Sequence, residues 1–244
     1  VDILWSHITH HSGQPQQILG VYHNDIVHYL CVNAQNQPLS YEIIKHPTQL
    51  KNGVTWVDLH SNIQWVPSAF AQSDIPGMPQ PKIRKINAQQ SLAFQYQPQK
   101  QNLLATDAPA MHIAEGLFTI AQTYASHKEY MSVIWFHDQT AIVFAFHNNQ
   151  LVFANKFNSS NTQEHLYFAL LPFHQKKLTP AQLGLIVLCD ANQHQNTAQL
   201  FHKFIPHAEI QSPSMPWIVN APAPLQHIVS PLIKMLSCAS PVEA

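Results

Sequence analysis

Across 244 residues, 12 lysines and arginines stand against 13 aspartates and glutamates, and 45% of positions are apolar. That apolar fraction fills a sizeable core, which rules out a disordered tail or a stapled miniprotein. A formal charge of -1, with 10% charged residues where ordinary soluble domains carry roughly 25%, leaves no cationic excess to neutralise phosphates and argues against nucleic-acid binding.

Gln, Asn and His supply the polar surface, and the 17 histidines add positive charge only as pH falls toward roughly 6.5. Cys31, Cys189 and Cys238 are odd in number and lack CxxC spacing, so neither a disulfide framework nor a zinc knuckle is expected. Cys31 and Cys189 lie inside apolar runs, which suits a reducing compartment, and a cytoplasmic location is the expectation. No apolar run reaches the roughly 18 residues of a membrane span. The chain begins with Val1 rather than methionine, which leaves room for a removed leader.

In chain order, Ile18 to His23 and Ile26 to Asn33 read as strands joined at Asn24-Asp25, with a third from Pro38 to Lys45. Val54 to Leu59, Ile63 to Val66 and Ser91 to Gln97 follow as further strand-like runs, and Pro67, Pro76, Pro79 and Pro81 crowd that region, which reads as loop and edge. Ile113, Leu117, Ile120, Ala121 and Tyr124 predict a helix linking the two halves. A second meander then repeats the first: Met131 to His137, Thr140 to His147 and Leu151 to Phe157, with the His23 and His137 corners 114 positions apart.

Asn161-Thr162-Gln163-Glu164 is a capping-box-like start for a helix that places Leu166, Leu170 and Phe173 on one face and ends near Pro172. Leu185 to Asp190 reads as a buried central strand. Asn196 or Thr197 is expected to cap a helix carrying Leu200, Phe201, Phe204 and Ile205 to Pro206, with a short strand at Glu209 to Gln211 beyond it. Leu225, Ile228, Val229, Leu232, Ile233 and Leu236 make an amphipathic closing helix containing Pro231. Three antiparallel strands followed by helix, strand, helix, strand, helix give an α/β fold with a mixed sheet. The expectation is a duplicated ribonuclease-H-like, actin-like fold with an eroded N-terminal half. Its lobes are placed at residues 1–108 and 109–244.

Four segments carry a resemblance to a known family: the meander from Ile18 to Ile43; Trp65-Val66-Pro67-Ser68-Ala69-Phe70; Leu151 to Phe157 continuing into Thr162 to Phe168; and the closing helix to Cys238. In them the chain resembles the bacterial domain-of-unknown-function family 3822, grouped with actin-like ATPase folds, and more distantly the actin-like proteins of pilus and secretion assembly. The third segment is the most specific, and it departs from the family in having Glu164-His165 before the aromatic pair.

The resemblance implies phosphate-holding hairpin corners in which Asp is closely followed by Gly. Here the corners read Tyr22-His23-Asn24-Asp25-Ile26 and Phe136-His137-Asp138-Gln139-Thr140, without glycine, and none of the six glycines is adjacent to another. Asp25, Asp138 and Asp190 are the candidate cofactor-binding carboxylates, set against their ordinary reading as turn and strand-end residues. No bound cofactor is expected. A ribonuclease-H nuclease would need a carboxylate on the first strand of the core, and Met131 to His137 has none.

His7, His10 and His11, or His23 and His28, could ligate zinc or nickel, but without HExxH or paired CxxC they read as surface histidines, and no metal is expected. No G-x-S-x-G elbow accompanies the serines. Trp56, Trp65 and Trp135 are assigned to core, and Trp217 to packing or partner anchoring. The functional expectation is a non-catalytic pseudo-ATPase acting as a binding or assembly platform for a protein partner. The rival is a diverged nucleotide- or metal-dependent enzyme using the cleft between the lobes.

Overall fold

The computed structural model describes residues 2–8, 13–23, 25–35, 37–45, 47, 50–59, 63–67, 82–87, 92–96, 111–190, 192–211 and 223–238. The first meander comprises β2 (Gln17–His23), β3 (Ile26–Val32) and β4 (Pro38–Lys45), with β1 (Asp2–Ile8) antiparallel on the outer side of β4. β5 (Val54–Asp58) runs parallel to β2, and the two-residue β9 (Met111–His112) parallel to β5, giving the order β1-β4-β3-β2-β5-β9. α1 (Ile113–Tyr124) follows immediately, capped by His112, whose Nδ1 accepts from Ala114 N at 3.1 Å.

The second unit repeats this plan with β10 (Tyr130–His137), β11 (Thr140–His147), β12 (Gln150–Asn158), β13 (Leu183–Leu188) and β14 (Glu209–Gln211) in the order β12-β11-β10-β13-β14. The meander is antiparallel, while β13 and β14 are parallel additions. Without β1, the two sheets have the same order and the same strand directions. α2 (Thr162–Leu170) joins β12 to β13, α3 (His194–Phe204) joins β13 to β14, and α4 (Ala223–Cys238) closes the unit as α1 follows β9.

Erosion of the first half is visible in what replaces its helices. Between β5 and β9 the described residues form a small antiparallel sheet of β6 (Ile63–Pro67), β7 (Lys82–Asn87) and β8 (Leu92–Tyr96), with β8 central. Of the prolines expected in loop or edge, Pro67 ends the edge strand β6, while Pro76, Pro79 and Pro81 lie outside the described residues.

Period-two alternation distributes the side chains between layers. From β10, Met131, Val133 and Trp135 face α1 and α4, whereas Ile134 and Phe136 face α2 and α3. Both faces are apolar because helices cover both. One core joins a face of the first sheet (Leu19, Leu30, Tyr41) to α1, α4 and a face of the second sheet (Phe144, Ile186). The order is thus sheet, helix pair, sheet, helix pair. Gly116 lets α1 and α4 approach closely: a Cβ there would lie 2.0 Å from the Pro231 carbonyl oxygen and 2.7 Å from Met235 Cγ.

Three local expectations shift. β13 starts at Leu183 and ends at Leu188, leaving Asp190 in the following loop. α3 begins at His194 rather than at Asn196 or Thr197, and Thr197 is buried with its N–H already donating to Gln193 O at 2.9 Å inside the first turn. Phe204, patterned as core, is 54% exposed.

Candidate functional site

The chemistry-bearing groups gather at the end of the second sheet where β10 stops. His137 pairs with Thr140, so Asp138 and Gln139 form a two-residue corner, and Asp138 sits at φ 49°, in the left-handed region that favours glycine. After β12 the chain returns to this corner, Ser159 N donating to Gln139 O at 2.8 Å. Asn161 caps α2, its Oδ1 accepting from Glu164 N at 3.0 Å, while Glu164 Oε2 accepts from Ser160 N at 2.6 Å. The capping motif expected at Asn161 is therefore formed, with its return bond one residue earlier.

From the other side, the chain leaves β13 through buried Cys189 to Asp190, whose Oδ1 accepts from Asn192 N at 2.6 Å. Burial pushes the Cys189 thiol up to about 12, making it an inert hydrophobe. Corner, α2 start and α3 start thus surround a polar cavity of about 280 Å³, lined by Phe136, Asp138, Ser160, Asn161, Thr162, His165, Asn192, Gln193, Asn196 and Thr197. The first turn of α3 contains no acidic residue, and its Gln193 cap makes no side-chain bond, so this helix end retains its positive dipole character.

His165 lies at the inner wall. Its ring stacks on Phe136 with centroids 4.0 Å apart and planes at 19°, and its Nε2 meets Ser159 Oγ at 2.5 Å. Burial brings its pKa down to about 4, against the opposing pull of Glu164, so the imidazole is neutral at pH 7. Its Nδ1 is buried without a hydrogen-bond partner. The Ser159–His165 pair has the distance of a nucleophile and its base. Ser159, however, is 2% exposed and does not line the cavity, so the pair braces the loop. What the cavity can do chemically is hold a small polar group between amides, hydroxyls and one carboxylate.

Of the three candidate carboxylates, Asp138 lines this cavity and Asp190 buttresses its α3 side. Asp25 occupies the equivalent corner of the first sheet, at φ 61°, and accepts a 2.6 Å bond from Tyr22 Oη. Both corners therefore present a carboxylate on a left-handed residue. A glycine corner would leave its N–H groups bare to an approaching phosphate, whereas here a Cβ stands at each left-handed position.

His28 is a core histidine, its Nδ1 2.6 Å from Tyr41 Oη. His7 and His23 lie in β1 and β2, and His10, His11 and Trp217 fall outside the described residues. Trp56 and Trp135 are buried as expected, and Trp65 lies in β6. Among the described residues, no three His, Cys, Asp or Glu side chains are grouped to hold a metal, and no helix is long and apolar enough to cross a membrane.

Between the sheets, beside the Asp138 corner, His227 of α4 stacks on Trp135 with centroids 5.0 Å apart and planes at 15°, and His137 stacks on Trp135 at 5.9 Å. His227 Nε2–H donates to the Phe136 carbonyl at 2.8 Å. Burial, then nearby His137, lowers its pKa to about 3. Nearby, Lys156 of β12 is buried, which lowers its pKa, and Asp58 of β5 opposes that shift across the interface. His165 and His227 were hidden in the sequence among 17 histidines. Only the capping motif just before His165 marked its neighbourhood.

Comparisons place this architecture. A family model described as "Protein of unknown function (DUF3822)" matches residues 82–208. No curated protein matches the chain. A crystal structure from Bacteroides thetaiotaomicron, of a protein with an actin-like ATPase fold and unknown function, aligns with TM-score 0.66 at 11% identity, covering 91% of this chain and 95% of that one. A chain of the PilM-PilN type IV pilus biogenesis complex aligns with TM-score 0.53 at 11% identity, covering 92% of this chain and 99% of its own. At such identities the likeness establishes the fold, a duplicated actin-like α/β architecture, as the strand pattern led one to expect.

Proposed function

Because the chain belongs to the DUF3822 family of proteins of unknown function, with an actin-like fold and no reaction to inherit, we propose that it is a non-catalytic, actin-like platform that holds a protein partner in the cytoplasm. The observation that carries this reading is the pair of corners closed by Asp25 and Asp138 in left-handed conformation, where phosphate binding calls for glycine. The interface beside the second corner supports it. Trp135, His137 and His227 form an aromatic stack there, continuous through Trp135 with the apolar core. The pilus biogenesis neighbour supports an assembly role, since that chain belongs to a protein complex. The balanced charge of -1 favours a protein over a nucleic acid as partner.

One observation favours a second reading, a diverged nucleotide- or metal-dependent enzyme: Asp138 faces a polar cavity framed by the starts of α2 and α3. A thermal-unfolding screen with nucleotides and divalent metals separates the two. The platform reading expects no shift from Mg-ATP, together with a partner recovered by cross-linking from the native host. Stabilisation of about 2.7 kcal/mol at a hundredfold excess over Kd would instead establish the enzyme reading.

A further inference from the structure

At the opposite end of the second sheet, α2 stops at Leu170 and the chain tightens into a 3-10 segment, Leu171–Lys176, begun by Pro172 and ended by Lys177 at φ 52°. Thr179 then leads into β13, its N–H and Oγ both donating to Gln182 Oε1 at 2.8 and 2.9 Å. Together with the end of α3 these segments enclose a second cavity of about 290 Å³. Leu170, Phe173, Leu183 and Ile205 form its apolar floor and walls, and they belong to the packed core of this lobe. Phe204, whose exposure departs from the helix pattern, stands at its lip.

The polar lining residues are His174, Lys177 and Thr179, and there is no carboxylate among them. Among the described residues no acidic side chain pairs with Lys177. An apolar trough with one cationic edge is complementary to a short apolar body carrying an anionic head. The rim offers little to a docking peptide, because the Thr179 N–H that could meet a partner backbone is already bonded within its own turn.

We propose that this cavity binds a medium-chain fatty carboxylate, with the chain lying against Leu170, Phe173, Leu183 and Ile205, the carboxylate at Lys177 and Phe204 covering the tail. The site is separate from the polar cavity at the Asp138 corner and does not depend on the platform reading.

The test is calorimetric titration of the full chain with octanoate, decanoate, octanol and octylamine. Saturable octanoate binding is expected, tighter for decanoate and at least about tenfold weaker for octylamine. Lys177→Gly removes the ammonium at a position whose φ of 52° suits glycine, so the urea midpoint should hold while octanoate weakens about tenfold and octanol is unchanged. No saturable octanoate binding would overturn the proposal, as would octanoate binding that matches octanol and ignores Lys177→Gly. A neutral phenylalanine-containing peptide that occupies the cavity while octanoate does not would reassign it to a protein anchor.

Discussion

His227 makes this protein acid-sensitive in a way that can be calculated. The imidazole is fully buried, stacked on Trp135 and donating Nε2–H to Phe136 O, and its folded pKa is about 3 against an ordinary 6.5. A depressed histidine pKa means that the unfolded chain binds the proton first. Stability is therefore complete above about 6.5 and is lost as pH falls toward about 3. At pH 5 the folded ring remains neutral while the unfolded one is almost wholly protonated, a loss of about 2 kcal/mol relative to pH 7.5. His227→Gln keeps an N–H donor for the Phe136 carbonyl but cannot titrate. Urea unfolding of both proteins at pH 7.5 and pH 5 supplies the measurement, since histidines away from His227 cancel in the difference, and the same comparison in a His137→Gln background removes the one that lies beside it. The variant is expected to be less stable at pH 7.5 yet to lose about 2 kcal/mol less on acidification. Equal acid losses in the two proteins would refute the assignment of a buried neutral His227.

Gly116→Ala drives a methyl group into the backbone carbonyl of Pro231, which cannot rotate away as a side-chain tip would. Overpacking should cost about 1–3 kcal/mol, exceeding the gain of up to about 1 kcal/mol in helix propensity, so the urea midpoint should fall. A rise would show that α1 and α4 are not in close contact. Ser159→Ala leaves the second ring nitrogen of His165 unpaired in a buried site, an expected cost of about 1–3 kcal/mol by urea titration. A neutral result would mean that Ser159 does not brace the loop between β12 and α2.

Much of the architecture was written in local pattern. Pro38 to Lys45, Thr140 to His147 and Glu209 to Gln211 form strands with the expected limits, because alternation bounded by turn residues reports the pleat directly. The duplication was also legible, as two meanders with corners of equal length. The helix starting at Thr162 followed from Asn161 and Glu164, whose capping bonds are local.

Other features depend on contacts between distant segments. Phe204 satisfies the apolar period of α3 yet is half exposed, because the 3-10 turn opposite it, brought there by Pro172 and Lys177, leaves the space beside its ring unfilled. His165, His227 and His28 are chemically the same residue in the sequence. Burial against Phe136 and Ser159, against Trp135, and against Tyr41 makes each of them distinct from a solvated histidine. Likewise Asp138 and Asp190, fifty-two positions apart, came to flank one cavity because β13 lies parallel beside β10. Strands, the Asn161 cap and the repeated order were legible in the chain, since these arise from neighbours a few residues apart. Which polar groups lost their water was decided only when sheets and helices packed into layers, because desolvation is a property of the packed layers.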